Sequence, residues 1–183
     1  FLLQNPTVQW GESPIQLHRR NARNLLFYLA CTETADRASL YALFWPGMED
    51  PDARNQLRTT LSKLRSDLPD RTLLYATPEI ARLDPERVWV DVREFQQIAA
   101  RYLHPALQIP NQRPLPEALA QQLRRAANLF SGNQFWPGVD FLGQPDLEDW
   151  LRDLRQELDD DLQRILQRLA FNAAANGDFD RAL

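Results

Sequence analysis

Five residues between positions 50 and 68 have types and spacing suited to reading nucleic acid: Asn55, Arg58, Thr59, Ser62 and Lys63. With Ser66 they fall on one side of a helix wheel, and none of the six is acidic. Arginine, lysine, asparagine and the hydroxyl residues are the side chains that hydrogen-bond to base edges in a major groove. On the other side of the wheel, Ala53, Leu57, Leu61, Leu64 and Leu68 recur at helical spacing and form an apolar stripe that must be buried. A buried stripe backed by short polar groups and cations is what a helix lying in DNA requires. The same pattern also suits the solvated side of an ordinary amphipathic helix.

No comparable set of residues points to catalysis or to metal. Asp159, Asp160 and Asp161 are consecutive, so on a helix they point in different directions and cannot close around one ion. His18 and His104 lack a second ligand at useful spacing, and Cys31 reads as a small core residue at a helix end. No nucleophile, base and orienting group are brought together, and there is no Gly-x-x-x-x-Gly-Lys-Ser/Thr phosphate loop. The expectation is a protein that is not an enzyme and needs no cofactor or metal.

Several elements must position the polar face. Asp50 and Pro51 read as a helix start, aspartate as an N-cap and proline at the first helical position, where its missing N–H costs nothing. Before it come a short helix over residues 39–44, stopped by Trp45-Pro46-Gly47, and a longer one over 21–31 with Ala22, Leu25, Leu26, Leu29 and Ala30 inward. The corner between the short helix and the 51–68 helix is longer than a simple helix-turn-helix allows. Apolar alternation through Phe1, Leu3, Val8, Trp10, Ile15 and Leu17 predicts three short strands in a meander. Two strand-like segments at 73–76 and 80–83 flank Thr77-Pro78-Glu79 and predict a hairpin. Together these elements predict a winged helix-turn-helix over residues 1–90, with the hairpin as the wing. Arg37, at the start of the short helix, and Arg82, on the wing, are candidate phosphate contacts. Arg65 lies nearer the buried flank and is assigned to phosphate or an acidic partner.

Residues 91–183 follow a different pattern. Asp91 and Glu94 fit a capping box opening a helix over 91–102. A proline-rich connector follows at 104–116, then a helix over 115–130 and an irregular loop over 131–145 whose Phe135, Trp136, Phe141 and Leu142 suggest an apolar plug. A long helix is predicted over 146–176, capped by Asp146 and Asp149 and seamed by Leu147, Leu151, Leu154, Leu158, Ile165 and Leu169. Asn176-Gly177-Asp178 ends it, and Phe179 to Leu183 begins a helix that the chain does not finish. This resembles the opening of a tetratricopeptide-type array, so the expectation is a unit cut short at its C-terminus, with an apolar edge suited to further repeats or a second copy, a homodimer.

The 183 residues are 44% hydrophobic and 25% charged, which is ordinary for globular material. Only Cys31 carries a thiol, and no apolar run approaches the ~20 residues of a membrane span, so a cytoplasmic protein without membrane contact is expected. The net charge is −4. Residues 1–95 hold 12 basic and 13 acidic side chains and the rest hold 9 and 12, so neither half is basic and any DNA surface is a local patch.

Four motifs in order carry a resemblance: Ile-Gln-Leu-x-Arg-Arg-x-Ala-Arg-x-Leu-Leu-x-Tyr-Leu-Ala from Ile15, Arg-x-x-Leu-x-x-Leu-Phe-Trp-Pro from Arg37, Ala-Arg-x-x-Leu-Arg-x-x-Leu-Ser-x-Leu-Arg from Ala53, and Trp-Val-Asp-Val-x-x-Phe from Trp89. The second half adds Ala-x-x-Leu-Phe-Ser-Gly-x-Gln-Phe-Trp-Pro-Gly and Leu-Glu-Asp-Trp-Leu-Arg-x-x-Arg-x-Glu-Leu. The chain resembles the bacterial transcriptional activator domain family, which includes the SARP-type activators. The resemblance implies a mainly α chain: an OmpR/PhoB-type winged helix followed by an all-α, tetratricopeptide-like activator domain. It implies double-stranded DNA as a partner, RNA polymerase as a second, and a STAND ATPase or further repeats elsewhere in a parent protein. Asn21, Gln4-Asn5 and Glu79 depart from the family pattern and remove positive charge or backbone freedom from the DNA side. The rival reading is a protein-interaction scaffold whose degenerate winged helix no longer binds DNA.

Overall fold

Leucine spacing decides where the helices lie. In the computed structural model, residues 1–3, 6–103, 114–130, 141 and 143–177 are described. Helix α1 (Arg20–Thr32) buries Ala22, Leu25, Leu26, Leu29 and Ala30 as the spacing requires, and Asn24 and Phe27 as well. Helix α2 (Arg37–Phe44) is capped by Asp36, whose carboxylate accepts from the Ser39 N–H at 2.8 Å. Helix α3 (Asp50–Asp67) buries Ala53, Leu57, Leu61 and Leu64, and Thr60 widens the stripe. Helices α4 (Asp91–Leu103), α5 (Glu117–Leu129) and α6 (Pro145–Ala175) pack on one another. The described residues are therefore mainly helical, with two small antiparallel sheets.

Among the described residues, the meander expected at the N-terminus is reduced to one pair, β1 (Gln9–Trp10) with β2 (Ser13–Pro14). Leu2 and Leu3 are both buried rather than alternating, because their N–H groups turn to the carboxylate of Asp91 instead of to a neighbouring strand. The expected hairpin forms as β4 (Leu74–Ala76) and β5 (Ile80–Leu83), preceded by a 3₁₀ turn at Arg71–Leu73. Strand β3 (Thr34–Asp36) was not expected. It pairs with β5, giving a three-stranded antiparallel sheet in the order β3-β5-β4, with Ala35 opposite Ala81.

Three expected caps form otherwise. Helix α3 starts after Glu49, with Asp50 inside the first turn and no side-chain cap, although Pro51 sits in that turn as expected. Asp91 and Glu94 make no capping box: Asp91 receives Leu2 and Leu3, and Glu94 accepts from Trp89 Nε1 at 2.6 Å and pairs with Arg125. Helix α6 begins after Gln144 without a side-chain cap, and Asp149 pairs with Arg152. Acids in a first turn still suit the helix dipole wherever their side chains point.

The two sequence halves share one apolar core. Gln144, ahead of α6, donates its amide to the Phe44 carbonyl at 2.6 Å, and Arg93 of α4 donates to the Leu29 carbonyl at 2.8 Å. Trp150 of α6 packs at a tilt against Tyr28 of α1 with ring centres 4.7 Å apart, and Tyr28 meets Phe44 edge-on. The leucine seam of α6 is buried through Leu147, Leu151, Leu154, Leu158 and Ile165, and Leu169 is half-buried. Phe141 is buried, while the rest of the proposed apolar plug and the segment after Gly177 lie outside the described residues.

Candidate nucleic-acid interface

Helix α3 turns its apolar stripe to α1 and α2 and its polar side outward. Asn55, Arg58, Ser62 and Lys63 are exposed, and Thr59 is half-buried. Arg58 donates to Asn55 Oδ1 at 3.0 Å, which links the two side chains one turn apart. Ser66 returns its hydroxyl to the Ser62 carbonyl at 3.1 Å and stays with its own helix. Among the described residues no carboxylate pairs with Arg58 or Lys63. Of the acids of this helix, Asp50 and Asp52 sit in its first turn, where Asp50 pairs with Arg54 at 3.5 Å, and Asp67 sits at its end, paired with Arg19 at 3.4 Å. Arg54 also lies over the Tyr41 ring, 5.5 Å from its centre.

The hairpin is fixed to α3 by arginine. Arg65 donates from Nε to the Leu74 carbonyl at 3.1 Å and from Nη2 to the Ala76 carbonyl at 3.4 Å. It thus satisfies edge carbonyls of β4, where the sequence suggested phosphate or an acid. Arg37 is half-buried and donates to the Thr77 carbonyl at 3.1 Å, holding the turn of the hairpin, while its backbone N–H donates to Glu79. Arg82 is exposed on β5 and lies over the exposed Tyr75 ring at 5.2 Å. Of the seven residues singled out in sequence, five stand on α3 and Arg82 on the hairpin; Arg37 is committed to the protein's own backbone.

A second cluster braces the base of the hairpin. Arg87 donates to Asp70 Oδ2 at 2.6 Å and to Thr72 Oγ1 at 2.7 Å, and Asp70 caps the 3₁₀ turn through the Thr72 N–H. The Arg87 hydrogen bond, together with those from Thr72, holds the Asp70 carboxyl well below the usual carboxylate range. Sequence reading missed this cluster because its members are 15 to 17 residues apart.

Burial pushes the Cys31 thiol far up, with Asp91 adding to the effect, so a reactive thiolate is disfavoured. Burial also lowers Arg93. Asp161 pairs with Arg164 at 3.4 Å and Asp160 accepts from Gln156, so the acidic run is spread around α6. Among the described residues no group of three His, Cys, Asp or Glu side chains could hold a metal, and no helix is long and apolar enough to cross a membrane. No family model matches the chain, and no curated protein matches it.

Proposed function

We propose that this chain binds double-stranded DNA with α3 in the major groove and the β4–β5 hairpin against the adjacent backbone, as a winged helix-turn-helix. The observation that carries this is the outward side of α3, where Asn55, Arg58, Ser62 and Lys63 stand exposed and no acidic partner neutralises the two cations among the described residues. Asn55 and Arg58, already hydrogen-bonded to each other, form a joint donor and acceptor surface of the type that reads purine edges. Arg65 and Arg37 fix the hairpin relative to α3, so Arg82 has a defined place beside that surface.

The resemblance to the SARP-type family extends the proposal to transcriptional regulation. On that reading α4–α6 are the start of a tetratricopeptide-like activator domain that docks RNA polymerase, or further domains of a parent protein. The short polar contacts from Gln144 and Arg93 into residues 1–90 support a stiff joint between the two parts.

A scaffold that has lost DNA binding is the second reading. It is favoured by the net charge of −4 and by Asp50 and Asp52 at the start of α3. Fluorescence anisotropy on a mixed-sequence duplex at two salt concentrations separates them. A DNA binder loses affinity steeply with salt, and Lys63→Ala flattens that slope by about one if Lys63 meets phosphate. A scaffold shows no salt-dependent binding in either form.

A further inference from the structure

A cavity of about 490 Å³ opens between the β1–β2 pair, α1 and residues 88–90. This is within the roughly 300–1,000 Å³ range of small-molecule sites. Its walls are Leu26 and Ala30 of α1 with Leu73 and Leu83 from the hairpin side. Seven large apolar side chains are exposed among the described residues, and three of them, Phe1 (41%), Trp10 (49%) and Trp89 (51%), rim this one opening. Phe1 and Trp89 already meet edge-to-face at 5.1 Å, so the rim offers aromatic faces and edges with little conformational freedom to lose.

The polar groups around the opening define what would enter. Arg87 is the one charged residue in the lining, and both of its terminal nitrogens are committed, to Asp70 and to Thr72. The indole N–H of Trp89 is given to Glu94. Asp70 already offsets the charge of Arg87, so the lining presents little net charge to a ligand. A protein partner ordinarily covers ~800 Å² on each side, whereas here three exposed aromatic side chains are gathered around a concavity. We infer that this cavity is a binding site for a small, uncharged, largely apolar molecule carrying an aromatic ring, gripped by Trp10 and Trp89. The inference stands apart from DNA binding, since none of the exposed α3 residues lines the cavity.

The test is a titration with N-phenyl-1-naphthylamine, an uncharged aromatic probe that fluoresces in apolar surroundings and accepts energy from tryptophan. Saturable binding to one site is expected, with quenching of tryptophan emission. Val8 also lines the cavity and is half-buried, so Val8→Trp should fill the space and weaken the probe at least tenfold. Trp10 is exposed, so Trp10→Ala should keep the fold, checked by circular dichroism, and also weaken binding at least tenfold. Replacing Leu166 and Phe171, exposed on α6 and remote from the lining, should change nothing. The inference is overturned if the probe fails to bind, or if the α6 replacements abolish binding while the cavity variants keep it. It is also overturned if sedimentation velocity shows a dimer that Trp10→Ala dissociates, because a second copy would then be the occupant.

Discussion

Asp91 is 1% exposed, and its carboxylate takes the N–H groups of Leu2 (2.6 and 2.7 Å), Leu3 (2.8 Å) and its own neighbour Val92 (2.9 Å). Asp91→Ala removes the acceptor for all three. A buried donor left without a partner costs about 1–3 kcal/mol. The chain end can escape that cost by peeling Leu2 and Leu3 into water, but both are buried, and re-exposing each forfeits about 1.5–3 kcal/mol. The cheaper route sets the loss, so Asp91→Ala should destabilise the fold by about 3–6 kcal/mol. At about 2–4 °C per kcal/mol for a chain of this size, Tm should fall by about 6–24 °C. Asp91→Asn keeps one carbonyl acceptor in the same place and should recover about half of the loss. Urea unfolding of the three forms measures the energies, and amide exchange at Leu2 and Leu3 reports whether the end has peeled away. A loss below about 1 kcal/mol, with those two amides exchanging freely in the unmutated chain, would refute the reasoning.

Two further outcomes follow from buried or braced polar groups. Gln144→Leu leaves the Phe44 carbonyl without its donor and should cost about 1–3 kcal/mol in urea unfolding, because both groups are buried where the two sequence halves meet. Asp70→Asn should destabilise the fold at neutral pH: the folded carboxyl is held below its unfolded value near 3.9, so its contribution is present above about pH 4 and is lost as pH falls through the folded value. Thermal unfolding of both forms should therefore converge in acid, and a difference that grows below pH 4 would contradict the assignment.

The helices were legible where leucine spacing alone selects a buried side, as in α3, whose stripe is buried at each of the five expected positions. Thr60 escaped because burial of a hydroxyl residue depends on the width of the neighbours' contact and leaves no trace in hydropathy. Strand β3 is three residues of ordinary composition, and it is a strand because β5 arrives beside it from more than 40 residues away. The capping acids were misplaced for a related reason. A local pattern shows that Asp91 is near a helix start, but not that Leu2 and Leu3 will claim its carboxylate. For the candidate site, residue type marked the exposed cations of α3. It could not tell Arg58, which faces outward with Asn55, from Arg37, which donates to a hairpin carbonyl; helix position set Arg65 nearer the buried flank, but did not place it on the carbonyls of β4.

Whether α3 reads DNA sequence is tested most directly by selecting from a randomised duplex pool with the chain itself, then titrating the enriched duplex against a scrambled one at fixed salt. The expected result is a preference of about 10³-fold or more for the enriched sequence. Arg58→Ala should reduce affinity for that sequence by about 1–3 kcal/mol and relax selection at the position it contacts. Equal affinity for enriched and scrambled duplexes, or binding indifferent to Arg58 and Lys63 together, would contradict the reading of α3 as a recognition helix.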